Sequence, residues 1–83
     1  MSAADYQAYL QRRRRIRRDI RLTEVEINAL YCVSQGLTIT ASAHVLDKPF
    51  TTVQSQLARA RTKLSAKNTV HAVAIALRFG LID

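Results

Sequence analysis

The chain has 83 residues, 48% of them apolar, and a formal net charge of +7. This length allows one domain at most, and the apolar content favours a folded chain over a disordered one. A single cysteine excludes an intramolecular disulfide, and no apolar run is long enough for a membrane span or a signal-peptide core. We therefore expect a cytoplasmic protein that makes no membrane contact.

Residues 1–21 form an N-terminal arm that differs in composition from the rest of the chain. Residues 12–21 hold seven arginines and one aspartate, and so carry most of the net charge. Apolar residues at roughly helical spacing predict a helix over residues 4–21. The arginine block favours contact with a polyanion, nucleic acid before anionic membrane. The alternative is a solvated, charged helix face that serves solubility or contacts a protein.

The first helix of the module at 22–83 is predicted from Thr23 to about Gln35. Thr23 and Glu26 have the spacing of a capping box, in which each side chain bonds the other's backbone N–H. Gly36 fits the left-handed position just past the end of the helix. Ile27 and Tyr31 are one turn apart on this helix, so we expect their shared apolar face to be covered, either by the arm or by a partner protein.

Two further helices are predicted on either side of the turn formed by residues 47–49. Thr38 can cap the shorter helix, at about 39–46, and Pro49 is tolerated in the first turn of the longer one, at about 50–64. The inward face of the longer helix is marked by Val53, Leu57, Ala60 and Leu64. Its remaining faces are expected to be exposed, and they comprise Gln54, Ser55, Gln56, Ala58, Arg59, Arg61 and Lys63.

A fourth helix is predicted at about 69–79, with Asn68 as its cap and Gly80 at its end. Too much of its circumference is apolar for a helix that packs on one side only, so one face is expected to meet a second copy of the chain. A fully buried core helix is the alternative. The residues expected at the dimer interface are Val70, Val73, Ala74 and Leu77. No strand pattern occurs, so the predicted fold is all-α.

The module carries a series of landmarks in a fixed order. They are Leu22-Thr23, Glu26, Leu30, Gly36, Ala43, Leu46, Thr52-Val53, Lys63-Leu64, Ala72-Val73 and Gly80-Leu81-Ile82. This order resembles the LuxR/GerE/FixJ-type helix-turn-helix, the DNA-binding module of many bacterial regulators. The resemblance covers about three quarters of the chain. It implies a four-helix LuxR-type domain with an additional basic N-terminal helix or arm, standing alone without a sensor or receiver domain.

The resemblance implies a sequence-selective transcriptional regulator that binds double-stranded DNA as a homodimer in the bacterial cytoplasm, at the nucleoid. The helix at about 50–64 would be the recognition helix in the major groove. Positions that match the family's base-reading residues are Gln54, Ser55 and Ala58. Contacts to the DNA backbone are expected from Thr51, Thr52, Arg59, Arg61, Lys63, Arg12, Arg13, Arg14, Arg15, Arg17 and Arg18.

A second interpretation is a protein-interaction module. Several positions differ from the family's usual residues, and these are Ala41, Ser42, Pro49, Gln54, Gln56 and Ala58. A domain with a weakened reading surface would bind a full-length LuxR-type regulator or RNA polymerase, as an antiactivator or co-regulator. The contact would use the fourth helix or the Ile27/Tyr31 face.

Catalysis is not expected. His44 and His71 are far apart, and no Cys/His/Asp cluster has metal-ligand spacing. The two glycines, Gly36 and Gly80, form no phosphate-binding loop. We therefore predict no catalytic residue, no metal, no cofactor and no small-molecule ligand.

Overall fold

The computed structural model describes residues 2–8 and 22–83, and its secondary structure in these ranges is helical, without strands. The module contains four helices, α1 (Glu24–Ser34), α2 (Ile39–Leu46), α3 (Phe50–Lys63) and α4 (Thr69–Arg78). Residues 3–8 are also helical, so that helix begins one residue before its predicted start. For the described residues, the all-α prediction is confirmed. The arginine block lies outside them.

The start of α1 is fixed by the predicted capping box. The backbone N–H of Thr23 donates to Glu26 Oε1 over 2.8 Å, and the N–H of Glu26 donates to Thr23 Oγ1 over 3.3 Å. Thr38 caps α2 through a bond from the Ala41 N–H, and Asn68 caps α4 through a bond from the His71 N–H. These three helix starts are therefore specified by local sequence.

Every helix of the module is followed by a residue in the left-handed region of backbone conformation. Gly36 (φ 88°) follows α1 and Gly80 (φ 70°) follows α4, as predicted, while Asp47 (φ 54°) follows α2 and Ser65 (φ 53°) follows α3. At the end of α3 the N–H of Ser65 donates to the Thr62 carbonyl. Such bonds satisfy the last carbonyl groups of a helix.

The core lies where α1 packs against each of the other three helices and α3 packs against α2 and α4. Small side chains allow the helices to approach closely, and the inward stripe predicted for α3 is confirmed. The buried apolar residues of the core are Ala29, Leu30, Ala43, Val53, Leu57, Ala60, Leu64, Ala72, Ala76 and Ile82. The helix bounds differ from the predicted ones by one residue at the ends of α1, α3 and α4. Pro49 occupies the cap position of α3 instead of its first turn.

Ser65 provides a test of the helix-end geometry, since it is exposed and is not a glycine. A left-handed conformation strains any residue with a Cβ atom, so Ser65→Gly should raise the free energy of unfolding by about 0.5–1 kcal/mol in urea denaturation.

The matched control is Asn28→Gly, because Asn28 is also exposed but lies within α1. This change should lower the free energy of unfolding by about 0.5 kcal/mol. Equal effects at both sites would contradict the assignment of strain to Ser65.

Candidate nucleic-acid interface

Helices α2 and α3 are joined by residues 47–49 alone. The N–H of Lys48 donates to the carbonyl of Ala43, which closes α2, and α3 begins immediately after Pro49. Pro49 provides no side-chain cap, so the first N–H groups of α3 have no cap acceptor from it. A helix start of this kind is electrostatically suited to an anion such as a phosphate group.

The side of α3 that faces away from the core is mainly polar over its first two turns, although Phe50 at its start is 44% exposed. Thr51, Gln54 and Ser55 are exposed, whereas Thr52 and Ala58 are half-buried. All five are predicted to contact DNA, and the structure places all five on α3. Further along, Arg59 is exposed and the Arg61 side chain is half-buried. None of these placements tests whether the residues touch DNA, which stays a prediction.

Lys63 is engaged in a contact that the sequence did not indicate. Its Nζ donates to Oε1 of Glu26 over 2.7 Å, and the Glu26 side chain is only 2% exposed. The lysine therefore joins the end of α3 to the start of α1. Its predicted contact with the DNA backbone would compete with this ion pair.

Glu26 is a buried charge whose carboxylate accepts two hydrogen bonds, from the Thr23 N–H and from Lys63 Nζ. Burial alone would raise the pKa of its carboxyl group, but the hydrogen bonds from Lys63 and Thr23, with the charge of Lys63, outweigh burial and hold the pKa below its ordinary value. The carboxylate is therefore the favoured form in the folded protein.

The burial of Gln56 shows that one of our predictions is wrong. It was expected on an exposed face of α3, yet it is only 6% exposed. Its Cα position borders the inward stripe formed by Val53, Leu57 and Ala60, so a long side chain there can turn towards the core. It lines a shallow concavity on the flank of α3 together with Thr51, Thr52, Ser55 and Arg59.

The apolar surface of α4 is only partly covered. Val70 is 79% exposed and Leu77 is 48% exposed, while Val73 is half-buried. The buried residues of this helix are Ala72 and Ala76, so the alternative of a fully buried core helix is wrong. The exposed row runs from Val70 through Ala74 to Leu77, and the half-buried Val73 borders a groove shared with the end of α1.

The second apolar face was expected on α1. Ile27 is half-buried and packs against the module's own core, whereas Tyr31 is 45% exposed. Ile27 is thus covered in part by the module itself, while a cover for Tyr31 by the arm or by a partner protein stays a prediction. The arm residues proposed as its cover, Ile16 and Ile20, lie outside those residues, as do the arm arginines from Arg12 to Arg18.

The histidines and the cysteine occupy separate surroundings. His44 is exposed on α2, His71 accepts a hydrogen bond from the Lys67 N–H, and Cys32 is buried in α1. Within residues 2–8 and 22–83, no three His, Cys, Asp or Glu side chains are grouped so that they could hold a metal ion.

A membrane-spanning helix, which needs length and a sustained apolar composition, is not found in the described part of the chain.

Comparisons of the chain with protein-family models, with curated proteins and with solved structures gave no match.

The pKa of Glu26 leads to a prediction about acid unfolding. Because folding lowers this pKa, the pair's contribution to stability is complete above the ordinary glutamate value of 4.5 and is lost as the pH falls from there through the lowered folded value. Urea denaturation at a series of pH values should therefore show the free energy of unfolding decreasing below pH 4.5.

Two variants isolate this contribution. Glu26→Gln cannot titrate at this position, so its stability should fall less steeply in the same pH range. In Lys63→Met, the strongest of the contacts that lower the pKa of Glu26 is lost, so this pKa should rise and stability at pH 7 should fall by about 2 kcal/mol. An acid profile of Glu26→Gln identical to that of the unchanged chain would contradict the role given to this pair.

Proposed function

We propose that this chain is a DNA-binding transcriptional regulator of the LuxR/GerE/FixJ helix-turn-helix type. The observation that carries the proposal is the α2–turn–α3 unit, in which a short helix and a three-residue turn support a longer helix with a polar, exposed first half. In DNA-binding proteins of this architecture, the second helix lies in the major groove and its N-terminal residues contact the bases. Here those residues would be Gln54, Ser55 and Ala58.

The charge of the chain supports the same proposal. Arg59 and Arg61 follow the predicted base-reading residues on α3, and neither forms an ion pair with a described residue. Both guanidinium groups can therefore bind phosphates without first breaking a salt bridge. Seven further arginines at 12–21 raise the positive charge of the same chain. Phosphate contacts supply most sequence-independent affinity, and base contacts add selectivity.

We further propose that the regulator acts as a homodimer through α4. Val70 and Leu77 are apolar, exposed and two turns apart, with Ala74 between them. A symmetric contact would bury this row against the same row of a second copy. Two copies would then place two α3 helices against a roughly two-fold symmetric DNA site.

A protein-interaction module is the second candidate function. This candidate is favoured by two large hydrophobic side chains that are exposed on α1, Tyr31 and Val25. Both lie outside the proposed dimer and DNA surfaces. A LuxR-type regulator or RNA polymerase would be the partner. This candidate requires no DNA binding by the chain itself.

The first test is DNA affinity across a salt series, using a mixed duplex library and fluorescence anisotropy. The intact chain should bind, with affinity falling steeply as salt rises. Arg59→Ala should weaken binding and reduce the salt slope by about one, and Gln54→Ala should weaken selected sequences more than the mixture.

The matched control is Lys67→Ala, which removes a positive charge outside the α2–turn–α3 unit. Its salt slope should change less than that of Arg59→Ala. Deletion of residues 1–21 tests the arm, whose removal should reduce the slope further. If the intact chain binds no DNA even at low salt, the regulator proposal fails and the protein-interaction candidate takes its place.

The second test concerns the dimer. Leu77→Glu places a charge in the proposed interface, so sedimentation equilibrium should show a monomer where the unchanged chain forms a dimer. Val45→Glu is the control, because Val45 is 63% exposed on α2, away from α4. Loss of the dimer in both variants, or in neither, would argue against an interface at α4.

A further inference from the structure

Gln56 is the least expected polar residue in the module. It is only 6% exposed, and its Oε1 accepts no hydrogen bond from any described residue. A buried oxygen without a donor destabilises a fold, and an apolar side chain of similar volume would not carry this cost. The packing of α3 therefore gives no reason for an amide at this position.

The position of Gln56 on α3 suggests a reason for the amide. Thr51, Ser55 and Arg59 follow one another at intervals of four residues, so they form a row along the helix. Thr52 and Gln56 form the adjacent row, and both rows line the same concavity of about 250 Å³. The unpartnered amide oxygen thus belongs to a residue that borders the surface proposed to face DNA.

The chemistry of the oxygen restricts what it can bind. Oε1 accepts hydrogen bonds and cannot donate them, so a phosphate group offers it nothing. In the major groove, the donors on the base edges are the exocyclic amines, N6 of adenine and N4 of cytosine. A base amine is therefore the part of a DNA duplex that complements this oxygen.

We propose that Gln56 is an additional base-reading residue, whose Oε1 accepts a hydrogen bond from the exocyclic amine of an adenine or cytosine when α3 lies in the major groove. This inference rests on the proposed DNA-binding function. Because Oε1 is shielded in the unbound protein, the side chain turns outward on binding. No hydrogen bond at Oε1 has to be broken for that movement.

The test compares two variants of the full chain, each of which removes one buried, unpartnered oxygen. Gln56→Met keeps the length of the side chain without the amide. Ser42→Ala removes the other such oxygen, Ser42 Oγ, on a residue that does not line the concavity. Thermal denaturation should show that neither variant is less stable than the unchanged chain, which confirms that both fold.

The DNA probe is a duplex selected by the unchanged chain from a randomised pool. Gln56→Met should lose about tenfold in affinity for this duplex, within the range of a single base contact, and retain its affinity for unselected DNA. Ser42→Ala should bind both duplexes as the unchanged chain does.

Base analogues identify the amine. Each adenine of the probe is replaced in turn by purine, which lacks the N6 amine, and each cytosine by 2-pyrimidinone, which lacks the N4 amine. One replacement should weaken binding by the unchanged chain about tenfold and have little effect on Gln56→Met. The base at that position shows whether Gln56 contacts an adenine or a cytosine.

Two results would overturn the inference in distinguishable ways. If the unchanged chain selects a duplex and Gln56→Met binds it equally well, or no analogue is coupled to Gln56, the residue does not read a base and the proposed function stands. If the unchanged chain binds no DNA, both fail together.

Discussion

A carboxylate held away from water at the start of α1 determines how α3 is fixed in the module. Glu26 is 2% exposed, and a charge removed from water requires hydrogen bonds and a counter-ion to offset its lost hydration. Thr23 provides one bond from its backbone, and Lys63 provides both a bond and the opposite charge. The same side chain therefore caps one helix and anchors the end of another, 37 residues further along the chain.

This arrangement divides α3 into two halves with different roles. The second half carries Leu57, Ala60 and the contact of Lys63 with Glu26, so packing and an ion pair fix its position. The first half begins without a side-chain cap and exposes Thr51, Gln54 and Ser55, leaving their hydrogen-bonding groups accessible. Val53 is buried in the first half as well, so the inner side of α3 fixes the whole helix while its outer side keeps polar groups accessible, as docking into a groove of fixed width requires.

Local signals allowed most of the fold to be predicted from sequence. The capping box at Thr23, the caps at Thr38 and Asn68, and the glycines at 36 and 80 depend on residues within a few positions of one another. Asp47 and Ser65 adopt the same left-handed conformation without being glycines, so their residue types do not predict it as a glycine does. The inward stripe of α3 followed from helical periodicity alone.

The parts of the site that escaped prediction depend on contacts between distant segments. The capping box identified Glu26, but nothing near it indicates that its carboxylate is buried or that Lys63 reaches it. Lys63 lies further along the predicted recognition helix, as Arg59 and Arg61 do, which is why a contact with the DNA backbone is predicted for it, and that contact stays a prediction. Gln56 was assigned to the exposed face because its polarity outweighed its position next to the inward stripe. The exposed placement predicted for Gln56 is wrong because residue type was ranked above place on the helix.

The surface of α3 that is proposed to contact bases is small, which makes the exposed face of α4 important for DNA affinity. The residues predicted to read bases lie within about one turn of α3, from Gln54 to Ala58, so one copy of the module can contact few base pairs. Joining two copies through Val70 and Leu77 would make the second contact intramolecular, which raises affinity without any new residue on α3. A chain of this length also buries a limited core, and covering an apolar row on α4 would add to its stability. The dimer would therefore serve folding and DNA affinity through the same surface, and a charge placed there should weaken both.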